Sequence, residues 1–420
     1  MLGFILAVIK IIVLLGFLIF IHELGHFLVA KLCKVKVNEF AIGFGPLIWK
    51  KQGKETKYAL RLLPLGGFVS MEGEEERSED SRSFSKASIP KRIAICSAGA
   101  IVNIIFGLIV YFILMAITLG PYVTNEVDTT LNDFVAQKIG LQNGDKVIEL
   151  DGDKIKSQSD INKTLANQNG EEINIKIDRN GEIIEYNIEP TEVSSKYTGI
   201  YLDDECKIVT VEKGSPAEEQ GIKSNDKLIA INNEPINEDT QKVVKIFNTE
   251  GLNTMLLTVK RGNEEVKIEL TPDYIPNYYL GATFKKAQDN FINRCINSGI
   301  QTTDFMFSIV DNLKQLFTGN VGVDQMMGPV GISETVAKTE DIEDFVYLLA
   351  LISLSLGVTN LLPIPALDGG KILILLIEAI RRKPLKEKTE INIQLIGFSI
   401  LIALAIFVTY NDILRIYHFS

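Results

Sequence analysis

Four long apolar stretches stand out along the chain, at residues 2–29, 93–119, 345–380 and 391–410. Each is long enough to cross a bilayer as a helix, which takes about 20 residues at about 1.5 Å each. The first is too long for the apolar core of a cleavable signal peptide, which has about 7–15 residues. The pattern therefore predicts a polytopic α-helical membrane protein with four transmembrane helices.

The segments between these stretches define the predicted domain order. We expect a first span at 1–34, a membrane-associated β-hairpin segment at 35–91, a second span at 92–119 and two small α+β domains at 121–193 and 194–274. An amphipathic helix region at 275–341 follows, with apolar residues at helical spacing over 291–317. The third span is predicted at 342–380, a loop at 381–390, the fourth span at 391–411 and a tail at 412–420.

Basic residues are concentrated in two of the polar segments. Residues 31–92 carry 13 Lys and Arg against 8 Asp and Glu, and residues 381–388 carry five against one. Because short loops rich in Lys and Arg stay in the cytoplasm, we expect both segments there. The acidic middle and both termini then lie outside the cytoplasm. The net charge of −10 also argues against nucleic acid as a partner.

The polar middle contains a doubled unit. The stretch GLQNGDKVIELDGDKI from Gly140 is matched 81 residues later by GIKSNDKLIAINNEPI from Gly221. Short alternating strands and turn residues are typical of small β-rich domains. The second copy opens with GSPAEEQGI from Gly214, which resembles the PDZ domains of bacterial membrane proteases. PDZ domains bind a peptide as an added strand. Rigid spacers without a ligand are the alternative, and the first copy lacks the GSPA pattern.

An HExxH motif lies within the first span, at His22, Glu23 and His26. Residues four apart lie on one face of a helix, so both imidazoles can reach one metal ion. Glu23 follows His22 by about 100° around the helix, beside the open coordination position, where a carboxylate can take a proton from zinc-bound water. Ionisable groups inside a membrane are costly. We therefore predict a catalytic zinc site rather than a polar cluster that only packs helices.

Zinc held by two histidines needs a third protein ligand. His418 is predicted on the wrong side of the membrane, whereas Cys33 and Cys96 near the cytoplasmic face remain alternatives. The acids of the remaining apolar stretches are Asp368 and Glu378. Asp368 follows the two prolines of NLLPIPALDGG, which break the helix and leave polar backbone that must face a cavity rather than lipid. Asp368 and the histidines also share the cytoplasmic half of the membrane, so Asp368 is the preferred ligand.

The combination resembles the site-2 protease family, most closely its bacterial RseP-type branch of intramembrane zinc metalloproteases with tandem PDZ domains. HELGH, the LDG after NLLPIP, GAIVNIIFG in the second span and GPVGI before the third carry the resemblance. It implies His22, His26 and Asp368 as ligands of one zinc ion per chain. It also implies Glu23 as the catalytic acid/base and Asn360 as a residue that holds the substrate or polarises its carbonyl.

The hairpin segment contains GFGP and PLGGF, and residues 40–49 and 58–63 read as partner strands. In this family such a segment re-enters the membrane and offers a strand edge to the substrate. We expect Gly43 and Gly45 to contact the substrate there, and Pro363 and Pro365 to do so beside the LDG motif. A substrate helix must unwind before attack, and an extended edge replaces its hydrogen bonds. A plain cytoplasmic hairpin is the alternative.

The resemblance implies hydrolysis of peptide bonds within or near transmembrane helices, in the bacterial cytoplasmic membrane. Expected substrates are single-span proteins such as anti-sigma factors, or signal-peptide remnants, already shortened by an upstream site-1-type protease. A silent PDZ scaffold, an anchored soluble metalloprotease and a metal transporter are the alternatives. The presence of Glu23, the apolar setting of HExxH and the lack of ligands in the second and fourth spans argue against them in turn. A disulfide between Cys206 and Cys295 stays open.

Overall fold

The computed structural model describes residues 2–74, 78–203, 205–247, 254–262, 264–318, 327–339 and 341–417. The helices in chain order are α1 (Leu2–Leu32), α2 (Ile89–Thr118), α3 (Val135–Lys138), α4 (Gln158–Ala166), α5 (Pro216–Glu219), α6 (Thr240–Phe247), α7 (Phe291–Thr318), α8 (Pro329–Lys338), α9 (Ile342–Asn360), α10 (Asp368–Arg381) and α11 (Glu387–Tyr417).

The strands in chain order are β1 (Val37–Gln52), β2 (Lys57–Met71), β3 (Val123–Thr130), β4 (Lys146–Leu150), β5 (Asp153–Lys154), β6 (Ile173–Arg179), β7 (Glu182–Ile188), β8 (Thr191–Tyr197), β9 (Ile200–Leu202), β10 (Ile208–Val211), β11 (Lys227–Ile231), β12 (Glu234–Pro235), β13 (Met255–Arg261), β14 (Glu264–Leu270), β15 (Asp273–Tyr279) and β16 (Ala282–Lys286).

Four helices are long and apolar enough to cross a membrane. The candidate spans lie in α1, α2, α9 and α11, at Val8–Leu32, Ile89–Thr118, Ile342–Asn360 and Lys388–Leu414. Their number and order agree with the predicted spans. These helices belong to one compact unit, which comprises residues 1–118, 298–317 and 322–420.

The third apolar stretch forms two helices rather than one continuous span. α9 ends at Asn360, and α10 begins at Asp368. Only α9 has the length of a membrane span, because the 14 residues of α10 reach about 21 Å. The interruption contains Pro363 and Pro365, which cannot donate the backbone hydrogen bonds that a helix needs. The sequence predicted this break, although it assigned the whole of 342–380 to one span.

β1 and β2 pair antiparallel, as the hairpin prediction requires. Residues 39–42 of β1 lie beside two segments of β2, 57–60 and 67–70, so the two long strands fold into a small sheet with several register shifts. Phe40 and Val69 are buried in a core shared with α1 and α2. The sheet is thereby held against α1, which carries both histidines, and against α2.

The second compact unit covers residues 119–297 and contains the doubled sequence. β16, β3, β4, β6 and β7 form one sheet in that order, with β5 on β4, and β12, β11, β13 and β14 form another. The same ion pair recurs in both copies: Arg179 donates to Asp145 at 2.7 Å, and Arg261 donates to Asp226 at 2.7 Å. The repeat seen in the sequence is therefore a repeat of structure.

The second copy is nested within the first. β16 follows the second copy in the chain, but it pairs with β3, and Leu280 is buried in the core of the first copy. Equivalent residues of the two copies make equivalent backbone hydrogen bonds. Ala136 N donates to Leu280 O at 2.9 Å in the first copy, and Ala217 N donates to Thr198 O at 3.1 Å in the second. The predicted boundaries of 121–193 and 275–341 separate β16 from the sheet to which it belongs. Its pairing is distant in sequence and leaves no local pattern.

α7 is the helix expected over 291–317. Within the compact unit that contains the candidate spans, Phe305 of α7 stacks on Tyr111 of α2 with ring centroids 4.0 Å apart. The ring centroid of Tyr347 of α9 lies 6.0 Å from that of Phe305. The apolar side of α7 is therefore packed on α2 and α9 at this position.

Candidate metal centre

Two histidines face the same point because they lie one turn apart on α1. The Nε2 atoms of His22 and His26 are 3.2 Å apart. α1 is apolar around nearly its whole circumference, as a helix buried in a membrane must be, and the two imidazoles are among its few polar side chains. This is the arrangement that the HExxH spacing predicts.

Asp368 completes a triangle of ligand atoms. Its Oδ2 lies 3.2 Å from Nε2 of His22 and 3.3 Å from Nε2 of His26. Zinc bound tetrahedrally at about 2.0–2.1 Å from each atom would place its ligands about 3.3 Å apart. Among the residues that the structure describes, this is the group of His, Cys, Asp and Glu side chains that could hold a metal.

The chemistry of the three side chains also fits zinc. Asp368 Oδ2 is buried without a hydrogen-bond partner, as an atom reserved for a metal would be. Two imidazoles and one carboxylate are a common ligand set of catalytic zinc, which keeps a fourth position open. Nδ1 of His26 lies 2.8 Å from the carbonyl oxygen of Ile95. A proton on Nδ1 makes this a hydrogen bond and leaves the lone pair of Nε2 for the metal.

Close contact between α1 and α2 shapes the site. A Cβ atom on Gly25 would lie 2.7 Å from the carbonyl oxygen of Ala98. A Cβ atom on Gly99 would lie 2.5 Å from Nε2 of His26 and 2.7 Å from Nε2 of His22. Glycine at both positions lets the helices approach until the backbone of α2 borders the ligand atoms.

Glu23, the residue after His22 on α1, lies next to β2. A Cβ atom on Gly67 would be 3.2 Å from Cγ of Glu23, so β2 runs directly beside this carboxylate. Residues 67–70 pair with β1 along one edge. The site thus combines three ligand atoms, one further carboxylate and an adjacent strand.

The break before Asp368 leaves no backbone N–H without a partner. Its donors at Leu361, Leu362, Ile364 and Leu367 bond to carbonyl oxygens of α9 or of the break itself. Ala366 N donates to Oε1 of Gln394 on α11 at 2.6 Å, and the two prolines carry no N–H. Irregular backbone at membrane depth is tolerated only when its polar groups are satisfied in this way. The segment can therefore hold Asp368 at the start of α10.

The other residues that the sequence predicted for the site lie outside the group formed by His22, His26 and Asp368. Asn360 is the last residue of α9, eight positions before Asp368, which begins α10. Gly43 and Gly45 have φ of 85° and 82° in β1, a conformation that glycine adopts readily. Contact of these residues and of the prolines with a substrate stays a prediction. His418 lies outside the described residues, and the alternative ligands, Cys33 and Cys96, are free thiols outside the metal-ligand group. Cys206 and Cys295 are also free.

Two polar residues near the site were not predicted from the sequence. Asn103 of α2 is 1% exposed, and its Nδ2 lies 3.4 Å from Nδ1 of His22. Gln394 of α11 accepts the hydrogen bond from Ala366 N in the break between α9 and α10. Both interrupt apolar spans, and a polar side chain inside a membrane helix is itself a sign of function or of a specific contact.

Comparisons with known proteins find relatives that match nearly the whole chain. Peptidase family M50 matches residues 10–404. The Escherichia coli K12 protein named regulator of sigma-E protease RseP is 28% identical over 454 residues, which cover 99% of this chain and 100% of that protein. A Clostridium perfringens protein whose name contains the words zinc metalloprotease is 32% identical over 402 residues, which cover 94% and 95%. The HtrA3 PDZ domain covers 21% of this chain and 94% of its own, with 19% identity and a TM-score of 0.19.

Proposed function

This chain belongs to peptidase family M50 and is a metalloprotease, and we propose that it cleaves peptide bonds within or near the transmembrane helices of its substrates. The position of the ligand triangle carries the proposal. His22 and His26 belong to a candidate membrane span, and Oδ2 of Asp368 lies 3.2 and 3.3 Å from their Nε2 atoms. A hydrolytic site at this place acts on a chain that is itself in the membrane.

His22, His26 and Asp368 hold the zinc ion in this proposal. Zinc bound there supplies a Lewis acid that polarises the scissile carbonyl and lowers the pKa of water. Glu23 takes a proton from the attacking water at its carboxylate and delivers it to the amide nitrogen as the C–N bond breaks. The hydroxyl group stays on the carbonyl carbon, so the products are a new carboxyl terminus and a new amine.

Substrate binding along β2 explains how a helix reaches the site. The strand lies beside Glu23, and an unwound segment pairing with its edge would replace the hydrogen bonds that the substrate helix loses. The hairpin also exposes large apolar side chains, as a segment that enters a membrane would: Phe44, Leu47, Ile48, Trp49, Leu60, Leu62 and Leu63. Gly43 and Gly45 shape this hairpin, and Asn360, Pro363 and Pro365 border the substrate from the side of the break.

The chain lies in the bacterial cytoplasmic membrane with the nested units and both termini outside the cytoplasm. Support for this orientation comes from the basic loops at 31–92 and 381–388. The nested units act as PDZ-like domains that admit substrates already shortened by an upstream site-1-type protease. The E. coli relative is named a regulator of sigma-E protease. Membrane-anchored anti-sigma factors are therefore one substrate class, and signal-peptide remnants are the second.

Cleavage by the reconstituted full-length chain tests the proposal. The substrates are a single-span helix with a short outer tail and the same helix with a folded outer domain. We expect the wild type to cut the first and to spare the second, and Glu23→Gln to cut neither while retaining one zinc ion per chain. If wild-type protein with bound zinc cuts no member of a panel of such helices, the catalytic assignment fails and a scaffold function gains support.

A further inference from the structure

Asn103 is the one polar side chain near Nδ1 of His22 in the contacts that the structure describes. Its Nδ2 lies 3.4 Å from that nitrogen, and its Oδ1 is buried without a partner. Carbonyl oxygen and amide nitrogen differ by a half-turn of the amide group, and the hydrogen-bond network decides between the two orientations. The identity of the atom that faces His22 therefore follows from the protonation of the imidazole.

Zinc binding determines which ring nitrogen of His22 carries the proton. A neutral imidazole carries one proton, so a ring that binds a metal through Nε2 has its proton on Nδ1. Nε2 of His22 is the atom directed at Asp368 and His26. Nδ1 is then a donor and needs an acceptor, and Oδ1 of Asn103 can serve only after the amide turns. With Nδ2 toward the ring, two donors would oppose each other.

The surroundings hold Asn103 in place for this contact. Its backbone carbonyl accepts a hydrogen bond from Oγ of Ser353 on α9 at 2.8 Å, in a buried setting. The residue itself is 1% exposed. His26 has a corresponding acceptor in the carbonyl oxygen of Ile95, so α2 would provide one acceptor for each histidine.

We propose that Asn103 is a positioning residue whose side-chain carbonyl accepts a hydrogen bond from Nδ1–H of His22 and so keeps Nε2 available for zinc. The inference rests on the proposed zinc site. It requires no substrate, so it can be tested apart from proteolysis. Hydrogen-bond partners of metal-bound histidines typically contribute 10- to 100-fold to metal affinity.

The experiment measures zinc affinity of the full-length chain by competition with a chelator. Asn103→Leu keeps the size and removes the acceptor, and we expect about 10- to 100-fold weaker binding. Asn103→Asp keeps an oxygen acceptor, and we expect at least the wild-type affinity. Ser353→Ala, which removes the bond to the backbone of residue 103 but leaves its side chain, is the matched control and should change zinc affinity much less.

A spectroscopic measurement separates this role from packing. The chain has three histidines, so the nitrogen-15 NMR spectrum of histidine-labelled protein contains signals from only three imidazole rings. In zinc-loaded wild type we expect His22 as the Nδ1–H tautomer with slow proton exchange, and in Asn103→Leu faster exchange of that proton. Wild-type zinc affinity in Asn103→Leu would overturn the proposal. Equal weakening in Asn103→Leu and Asn103→Asp would also overturn it, because it would show that shape alone matters.

Discussion

A single methyl group at Gly99 should disturb the metal centre directly. In Gly99→Ala the added Cβ would lie 2.5 Å from Nε2 of His26 and 2.7 Å from Nε2 of His22. Ordinary contacts begin at 3.4 Å, so the overlap is roughly 0.9 and 0.7 Å. Zinc about 2.0–2.1 Å from both nitrogens would compete with the methyl group for the same space.

The size of the effect depends on how far α1 and α2 can move apart. Overpacking a well-packed interior costs about 1–3 kcal/mol, which corresponds to roughly 5- to 150-fold in an equilibrium constant. We therefore expect zinc affinity to fall by at least about 5- to 150-fold. Chelator competition on purified protein measures this change. Cleavage of a single-span helix should fall with it at limiting zinc.

Gly120→Ala is the matched control, because nothing lies within 4 Å of a Cβ at that position. It should leave zinc affinity and cleavage unchanged. Wild-type zinc affinity in Gly99→Ala would contradict this prediction, since the site has no room for both the methyl group and the zinc ion. Equal losses in both variants would point to a general effect of alanine in this chain.

Three further predictions concern the third ligand, the nested units and the hairpin. Asp368→Asn should weaken zinc binding strongly while thermal unfolding of the zinc-free protein changes little, and unchanged zinc affinity would remove Asp368 from the ligand set. Burial alone would raise the pKa of Asp145, but hydrogen bonds from Arg179 and a backbone N–H hold the pKa below its usual value. The stabilisation is thus present at neutral pH and lost as pH falls through that lowered pKa. Arg179→Met should accordingly cost about 2 kcal/mol of unfolding free energy at pH 7 and clearly less in acid, whereas a loss independent of pH would contradict the ion pair. Gly43→Ala, with a Cβ 2.6 Å from a backbone oxygen, should destabilise the hairpin more than Gly45→Ala, where the nearest atoms are 3.8 Å away; equal protease sensitivity of the two variants would show that crowding is unimportant there.

The residues that local pattern defines were predictable from the sequence. The spacing of His22 and His26 places both on one face of a helix whatever surrounds it. Asp368 could be preferred because few acids lie in apolar stretches and because two prolines interrupt its helix. The break between α9 and α10 is visible for the same reason.

Features that depend on distant contacts were not predictable in this way. The role of Gly99 depends on where α2 crosses α1, and the contact of Asn103 with His22 depends on the rotation of α2 about its axis. β16 pairs with β3 across more than 150 residues of chain. Nothing in its local sequence distinguishes that pairing from an edge strand elsewhere.

The products of a single reaction show directly whether this chain hydrolyses a peptide bond inside the membrane. Wild-type protein in liposomes is incubated with a single-span substrate in water enriched in oxygen-18, and the fragments are identified by mass spectrometry. We predict a new carboxyl terminus within or near the apolar segment, carrying oxygen-18, and no such fragment with Glu23→Gln. A cut only in the soluble part of the substrate, or equal cleavage by Glu23→Gln, would contradict it.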